Sequence, residues 1–306
     1  MKVCITTTPF HKDNINLLKD AGLEVDTNPF SKKIEYEQLY SFLEHADYVI
    51  AGTERYDKSL LNQLDNLKVI SRVGVGIDNI DQNFAKAKKI RILNTPDAPS
   101  YGVAEFCLGM MIFFLRDVFK SNQRLKEKKW EREVSLSIED AKIFLWGGGR
   151  VARALKSLLI SCGAKNIYVH DVIDLQTVGG WEEDEVNICG LDEMYDADVI
   201  SLHLPHNKDT NKIFNRDVVN KLVNRPYLIN TSRGDIVDDK ILIGAIEDKI
   251  INAAALDVFS KEPYNGPLLN NQNIFATPHI ASSSKSIRYN MELESSNNLI
   301  KFLNEQ

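Results

Sequence analysis

Ten short apolar, β-rich runs lie along the chain with helical patterns between them, and this alternation fixes the fold class before any single residue does. The runs are residues 2–6, 48–51, 69–72, 91–93, 143–146, 167–170, 199–203, 227–230, 253–256 and 274–276. Helical patterns such as 14–21, 58–64 and 240–247 separate them. A strand that is apolar at consecutive positions must be covered on both faces. Helices between such strands supply the cover and return the chain, so that the strands run parallel. The expectation is an α/β protein. Its 306 residues give room for about two domains. The turn-rich NTPDAPS cluster at 94–100 marks a boundary between them.

Composition removes several classes of function. The net charge is −6 and no basic cluster is dense enough for a nucleic-acid face. The longest apolar run, residues 106–115, falls well short of the ~20 residues that span a bilayer. The opening MKVCITTTPF reads as a strand and not as a signal peptide. Cys4, Cys107, Cys162 and Cys189 are scattered with no C-x-x-C pair. Reduced, structural thiols in a cytoplasmic protein are expected, with neither a disulfide nor a metal site. A helix expected over 101–119 is unusually apolar, carrying Phe106, Met110, Met111, Phe113 and Phe114. It must be buried on more than one side, within its own domain or against a second subunit; a homodimer is the preferred reading.

The stretch IFLWGGGRVARAL joins a strand to a helix through three glycines. A dinucleotide pyrophosphate sits where a strand ends, the chain turns tightly, and a helix begins with its free N–H groups exposed. Gly147 makes the turn, and Gly149 lets the backbone approach the phosphates. The third fingerprint position needs only a small residue, and Ala152 supplies it, giving G-x-G-x-x-A. The next run, IYVHD, ends in Asp171, about twenty residues past the turn, where an acid grips the adenosine ribose hydroxyls. That carboxylate would repel a 2′-phosphate, and Val172 and Ile173 offer no compensating cation. The cofactor expected is NAD, not NADP.

Beyond the turn, ADVISLHLP, LINTSRGDIVDD, INAAALDVFSKEP and FATPHIA follow in order; VISRVGVGIDNID and NTPDAPSYGVAE precede it. Together these blocks resemble the D-isomer-specific 2-hydroxyacid dehydrogenases over nearly the whole chain, most like the phosphoglycerate dehydrogenase branch in a short form without a regulatory domain. The resemblance implies two Rossmann-like and flavodoxin-like parallel-sheet domains separated by an active-site cleft. Residues 1–97 plus 280–306 would form the substrate domain, and 98–279 the NAD-binding domain.

The resemblance also implies site residues. Arg233 would hold the substrate carboxylate and carbonyl oxygen, a planar guanidinium donating two parallel bonds. His279 would exchange a proton with the 2-hydroxyl, and Glu262 would hold its imidazole. Arg150 and Val151 would offer backbone N–H groups to the pyrophosphate, and Leu204 and Thr231 would line the cofactor. Asp257 would accept from the nicotinamide amide, and Val75 would touch the nicotinamide side. Gly74 and Gly76 would let their loop reach the substrate carboxylate. Arg72 would add charge for a phosphorylated substrate or serve an ion pair. The implied reaction interconverts a D-2-hydroxy acid and a 2-keto acid. 3-Phosphoglycerate/3-phosphohydroxypyruvate is the first candidate, with hydroxypyruvate, glyoxylate or a D-lactate-type substrate as the alternative. A binding protein that reads NADH is the rival from another class, and a formate- or phosphite-type dehydrogenase the rival among enzymes. Three departures from the family pattern stand out: VSLSIEDAK at 134–142 lacks two glycines, Ser282 replaces a glycine, and His206 follows Pro205.

Overall fold

The computed structural model describes residues 1–182 and 185–305. The chain divides into two compact units. One is Met1–Pro99 together with the segment from Ser283 onward, and the other is Ser100–Ser282.

The first unit is a five-stranded sheet of β1 (Lys2–Ile5), β2 (Glu24–Thr27), β3 (Tyr48–Ala51), β4 (Val69–Arg72) and β5 (Arg91–Leu93). The strands are parallel in the order β2-β1-β3-β4-β5, a doubly wound arrangement. Alternate side chains serve two cores, as consecutive apolar residues require. Cys4, Val49, Ala51 and Ile70 enter one, while Val3, Ile5, Tyr48, Ile50 and Val69 pack on the other with Ile287, Met291 and Leu299. The last three come from the terminal helix Lys285–Asn304, capped at its start by the Ser284 hydroxyl. Strand β2 escapes the sequence reading because its residues EVDT form an edge, paired only to β1 and without a buried residue.

The second unit holds β6 (Lys142–Trp146), β7 (Asn166–His170), β8 (Asn187–Ile188), β9 (Val199–Leu202), β10 (Tyr227–Asn230), β11 (Ala253–Leu256) and β12 (Ile274–Ala276). These seven parallel strands run β12-β11-β10-β9-β6-β7-β8. The strand order reverses between β6 and β9, the switch point at which such sheets bind ligands beyond their carboxyl ends. Register makes this edge a single row. Trp146 pairs with His170 and Leu202, Asn230 with Leu202 and Leu256, and Leu256 with Ala276. Gly147, Asp171, His203, Thr231, Asp257 and Thr277 therefore all step off the sheet at the same edge.

The helix expected over 101–119 is two helices, Ser100–Leu115 and Val118–Lys126. Asp117 breaks them with a left-handed backbone at φ +52°, a conformation short polar side chains tolerate. Its carboxylate accepts from the Ser121 hydroxyl and pairs with Arg124, so the break is held in place. Within the first helix Ala104, Cys107, Met111 and Phe114 are buried, and Phe114 stacks on Tyr227 with ring centroids 5.1 Å apart. No helix among the described residues is long and apolar enough to cross a membrane.

Candidate active site

The glycine turn follows β6, and each of its glycines answers a different demand. Gly147 has φ +106°, and a Cβ there would lie 2.6 Å from the His203 carbonyl oxygen. Gly148 faces the apolar side, where a Cβ would come within 2.3 Å of Leu175 Cδ2. Gly149 is different. Its backbone is extended, and a Cβ would meet no atom within 4 Å. The fold does not need glycine at this position, and the open space beside it suits the close approach of a phosphate. Gly149 also caps the helix Arg150–Ser161 without a side-chain hydrogen bond, so no capping side chain competes for the helix's first N–H groups. Ala152 is fully buried in the core beneath the turn, which explains the small third position.

Asp171 steps off β7 beside the turn. Its Oδ2 accepts the Gly148 N–H at 2.7 Å and its Oδ1 accepts the Ile173 N–H at 3.0 Å. The acid is thereby fixed next to the glycines, with remaining lone pairs for hydroxyl donors. Val172 and Ile173 beside it are exposed and carry no charge. These residues fit NAD: an uncapped helix start, an open glycine and an anchored acid. Arg150 and Val151 open the helix, and the Leu204 side chain lies against Gly147.

The second cluster forms on β10, β11 and β12. Gly234 explains how it closes, because a Cβ there would fall 1.9 Å from the Phe259 carbonyl carbon. Only glycine lets the Arg233 turn press against the backbone of the loop that carries Glu262. Asn230 shapes that turn, accepting from the Ser232 N–H and hydroxyl while its amide donates to the Arg233 carbonyl. Arg233 Nη1 donates to the Ser232 carbonyl at 2.7 Å. Thr231 Oγ1 lies 3.2 Å from Cys107 Sγ.

Glu262 Oε2 is 2.8 Å from His279 Nδ1, and Oε1 accepts the Phe259 N–H at 3.1 Å. The imidazole is thus held through Nδ1, leaving Nε2 as its outward nitrogen. Burial pushes the Glu262 carboxyl up, but the His279 hydrogen bond and the nearby Arg233 charge more than offset this and hold it below its ordinary value. His279 has a left-handed backbone, φ +56°. Asp257 clamps that turn: Oδ1 accepts the Thr277 hydroxyl at 2.6 Å and the Ile280 N–H at 2.8 Å, while Oδ2 accepts the Ala281 N–H at 2.8 Å. Asp257, expected to meet the cofactor's amide, is 1 % exposed and accepts three hydrogen bonds from the histidine turn, with Oδ2 accepting only one of them.

In the first unit the G-V-G loop follows β4. The Arg72 guanidinium folds back to the Val73 carbonyl and covers Gly74, where φ is +145° and a Cβ would lie 2.7 Å from Nη1. Thr95 Oγ1 accepts the Gly74 N–H at 2.7 Å, and Asn94 Nδ2 donates to the Val75 carbonyl at 2.8 Å. Val75 is 45 % exposed and Gly76 is partly exposed beside it. The N-T-P block therefore pins the loop.

Nothing local in the sequence marks Asn94, Thr95, Asn230 and Thr277 as the residues that hold these turns, or Trp181 as the donor to the middle glycine. Polar residues just past strand ends are the available signal, but only register shows which turn each one holds.

Residues 108–281 match the family model described as the D-isomer specific 2-hydroxyacid dehydrogenase NAD binding domain. The D-3-phosphoglycerate dehydrogenase of Methanocaldococcus jannaschii is 32% identical over 291 residues, covering 92% of this chain and 53% of that protein. The hydroxypyruvate reductase of Thermotoga maritima is 31% identical over 295 residues, covering 94% and 93%. This chain thus spans about half of the first relative and nearly all of the second. Among solved structures, an NAD+-bound 3-phosphoglycerate dehydrogenase of Entamoeba histolytica superposes with a TM-score of 0.81 at 26% identity, covering 99% of this chain and 95% of that one.

Proposed function

This chain belongs to the D-isomer-specific 2-hydroxyacid dehydrogenase family, with an NAD-binding domain, and we propose that it interconverts a D-2-hydroxy acid and its 2-keto acid. The observation that carries the reading is the His279–Glu262 pair at 2.8 Å, with Arg233 close enough to act on the same carboxylate.

NAD bound on the glycine turn supplies the acceptor or donor for the hydrogen at substrate C2. The remaining work belongs to side chains. Arg233 binds the carboxylate and polarises the carbonyl oxygen. His279 Nε2 gives its proton to that oxygen in reduction and takes it back in oxidation. Glu262 holds the ring through Nδ1 and stabilises its cationic form. Gly74, Val75 and Gly76 offer loop amides to the substrate carboxylate.

3-Phosphohydroxypyruvate is the first substrate to assay, because the sequence blocks and the Methanocaldococcus relative point to it. Hydroxypyruvate and glyoxylate form a second reading, favoured by charge in the first unit. Past β3 lies the buried Glu54, which accepts from Thr6 Oγ1 at 2.8 Å, and one cavity is lined by Asp57, Asp78 and Asp81 with a single cation, Arg55, which pairs with Asp57. Three carboxylates against one already paired cation leave this edge net negative, which disfavours a phosphate. A homodimer is part of the proposal, supported by exposed Val118, Leu125, Trp130 and Val134 beyond the Ser100–Leu115 helix. A reducing, cytoplasmic setting is supported by the four free cysteines.

The test is NADH oxidation with a panel of phosphorylated and plain 2-keto acids, beside the same panel with NADPH. Turnover without any partner protein supports the enzyme over an NADH-reading binding protein. In His279→Ala, turnover is lost and NADH binding is kept. Binding that disappears along with activity would show that the histidine has a different role.

A further inference from the structure

Trp181 lies in the segment between β7 and β8 and is 4 % exposed. Its indole Nε1–H donates to the Gly148 carbonyl at 3.2 Å. The Gly148 N–H is already held by Asp171 at 2.7 Å. The middle glycine is therefore fixed through both of its peptide groups.

The Gly148 carbonyl shares its peptide plane with the Gly149 N–H. In a trans peptide the two point in opposite directions. With the carbonyl turned inward to Trp181, the Gly149 N–H points the opposite way, away from the indole, and the space a Cβ of Gly149 would take is open. The clamp is anchored on the same helix that the turn begins. Lys156, buried on the Arg150–Ser161 helix, pairs with Glu182 and Glu185, which follow Trp181, and its ammonium lies 6.0 Å from the Trp181 ring centroid. Arg153 on that helix donates to the Gly179 carbonyl at 3.4 Å. Leu175 fills the space beside Gly148 that a Cβ would take.

We propose that Trp181 is a positioning residue for the cofactor: through the Gly148–Gly149 peptide it aims the Gly149 N–H at the pyrophosphate. Without the indole donor this peptide is free to rotate and present its carbonyl to the phosphates, an orientation that repels them. The inference rests on the reading of this turn as the NAD site. It goes beyond that reading by giving the third face of the turn to a residue outside the glycine fingerprint.

The experiment measures the NADH dissociation constant by fluorescence titration of the full chain. Trp181→Phe keeps an aromatic ring and removes the donor, and a loss of about threefold to tenfold in NADH affinity is expected for one neutral hydrogen bond. Turnover at saturating NADH and the keto-acid KM stay within about twofold. Val186→Ala, a truncation in the same core, lowers the melting temperature without changing NADH affinity. Equal NADH affinity in Trp181→Phe and the natural protein overturns the proposal. So does an equal loss in Val186→Ala, which would reduce the effect to general loosening. If Trp181→Phe does not fold, the natural protein labelled with ¹⁵N at its three tryptophans serves instead. With Trp130→Phe and Trp146→Phe assigning the other two signals, the remaining indole N–H signal shifts on saturation with NADH. An unmoved signal overturns the proposal. A natural protein that binds no NADH at all would instead sink the cofactor reading beneath it.

Discussion

Asp257→Asn separates a residue that holds the catalytic turn from one that serves the cofactor. The carboxylate takes three hydrogen bonds, from the Thr277 hydroxyl and the Ile280 and Ala281 N–H groups, at 2.6 to 2.8 Å. Asparagine keeps one oxygen and replaces the other with an NH2. Whichever way the amide turns, at least one buried N–H then faces another donor. Losing a bond to a charged acceptor and stranding its donor costs about 2 to 4 kcal/mol. The unit concerned, Ser100–Ser282, has 183 residues (282 − 100 + 1). At about 2 to 4 °C per kcal/mol for that size, the melting temperature falls by about 4 to 16 °C. The left-handed turn at His279 loosens with it, so kcat falls by about tenfold or more. NADH affinity is kept, because the glycine turn stands on other strands. Scanning calorimetry and steady-state kinetics check this. A variant that melts within about 1 °C of the natural protein and shows only a raised NADH KM would refute the clamp and return Asp257 to the cofactor.

Three further outcomes follow from the same geometry. Glu262→Gln removes the charge paired with His279 Nδ1 and leaves the ring less firmly held, so kcat falls about tenfold or more while NADH affinity is kept; an unchanged kcat contradicts the pairing. His203 Nε2 is buried without a partner, and burial pushes the ring's pKa down to about 4. The unfolded chain binds this proton below about pH 6.5 while the folded chain does not, so stability falls between about pH 6.5 and 4, by up to about 3 kcal/mol. Denaturant midpoints at pH 7 and 5 should converge in His203→Gln relative to the natural protein. Gly148→Ala drives a Cβ into Leu175 and costs about 1 to 3 kcal/mol, with recovery of stability in the double variant Gly148→Ala/Leu175→Ala.

The parallel strands and the glycine turn were legible because they are local. IFLWGGG carries its own strand, turn and helix start, and consecutive apolar residues announce two covered faces. Strand β2 and the two-residue β8 were not, since edge strands carry little apolar pattern. The break at Asp117 hides inside an apolar run that reads as one helix. In the site, Arg233, Glu262 and His279 came from a resemblance; taken alone, each is an ordinary polar residue. The histidine clamp by Asp257 depends on Leu256 pairing with Ala276, which sets Asp257 beside Thr277 across twenty residues of sequence. Trp181 was invisible because nothing local links an indole to a glycine carbonyl 33 residues earlier.

The path of the transferred hydrogen decides whether this chain performs 2-hydroxyacid chemistry. With NADH deuterated on the reactive face and hydroxypyruvate or 3-phosphohydroxypyruvate as acceptor, the expected product is a D-configured 2-hydroxy acid carrying deuterium at C2, with no product from His279→Ala. An L-configured product, or NADH consumed without deuterium at C2, would contradict it.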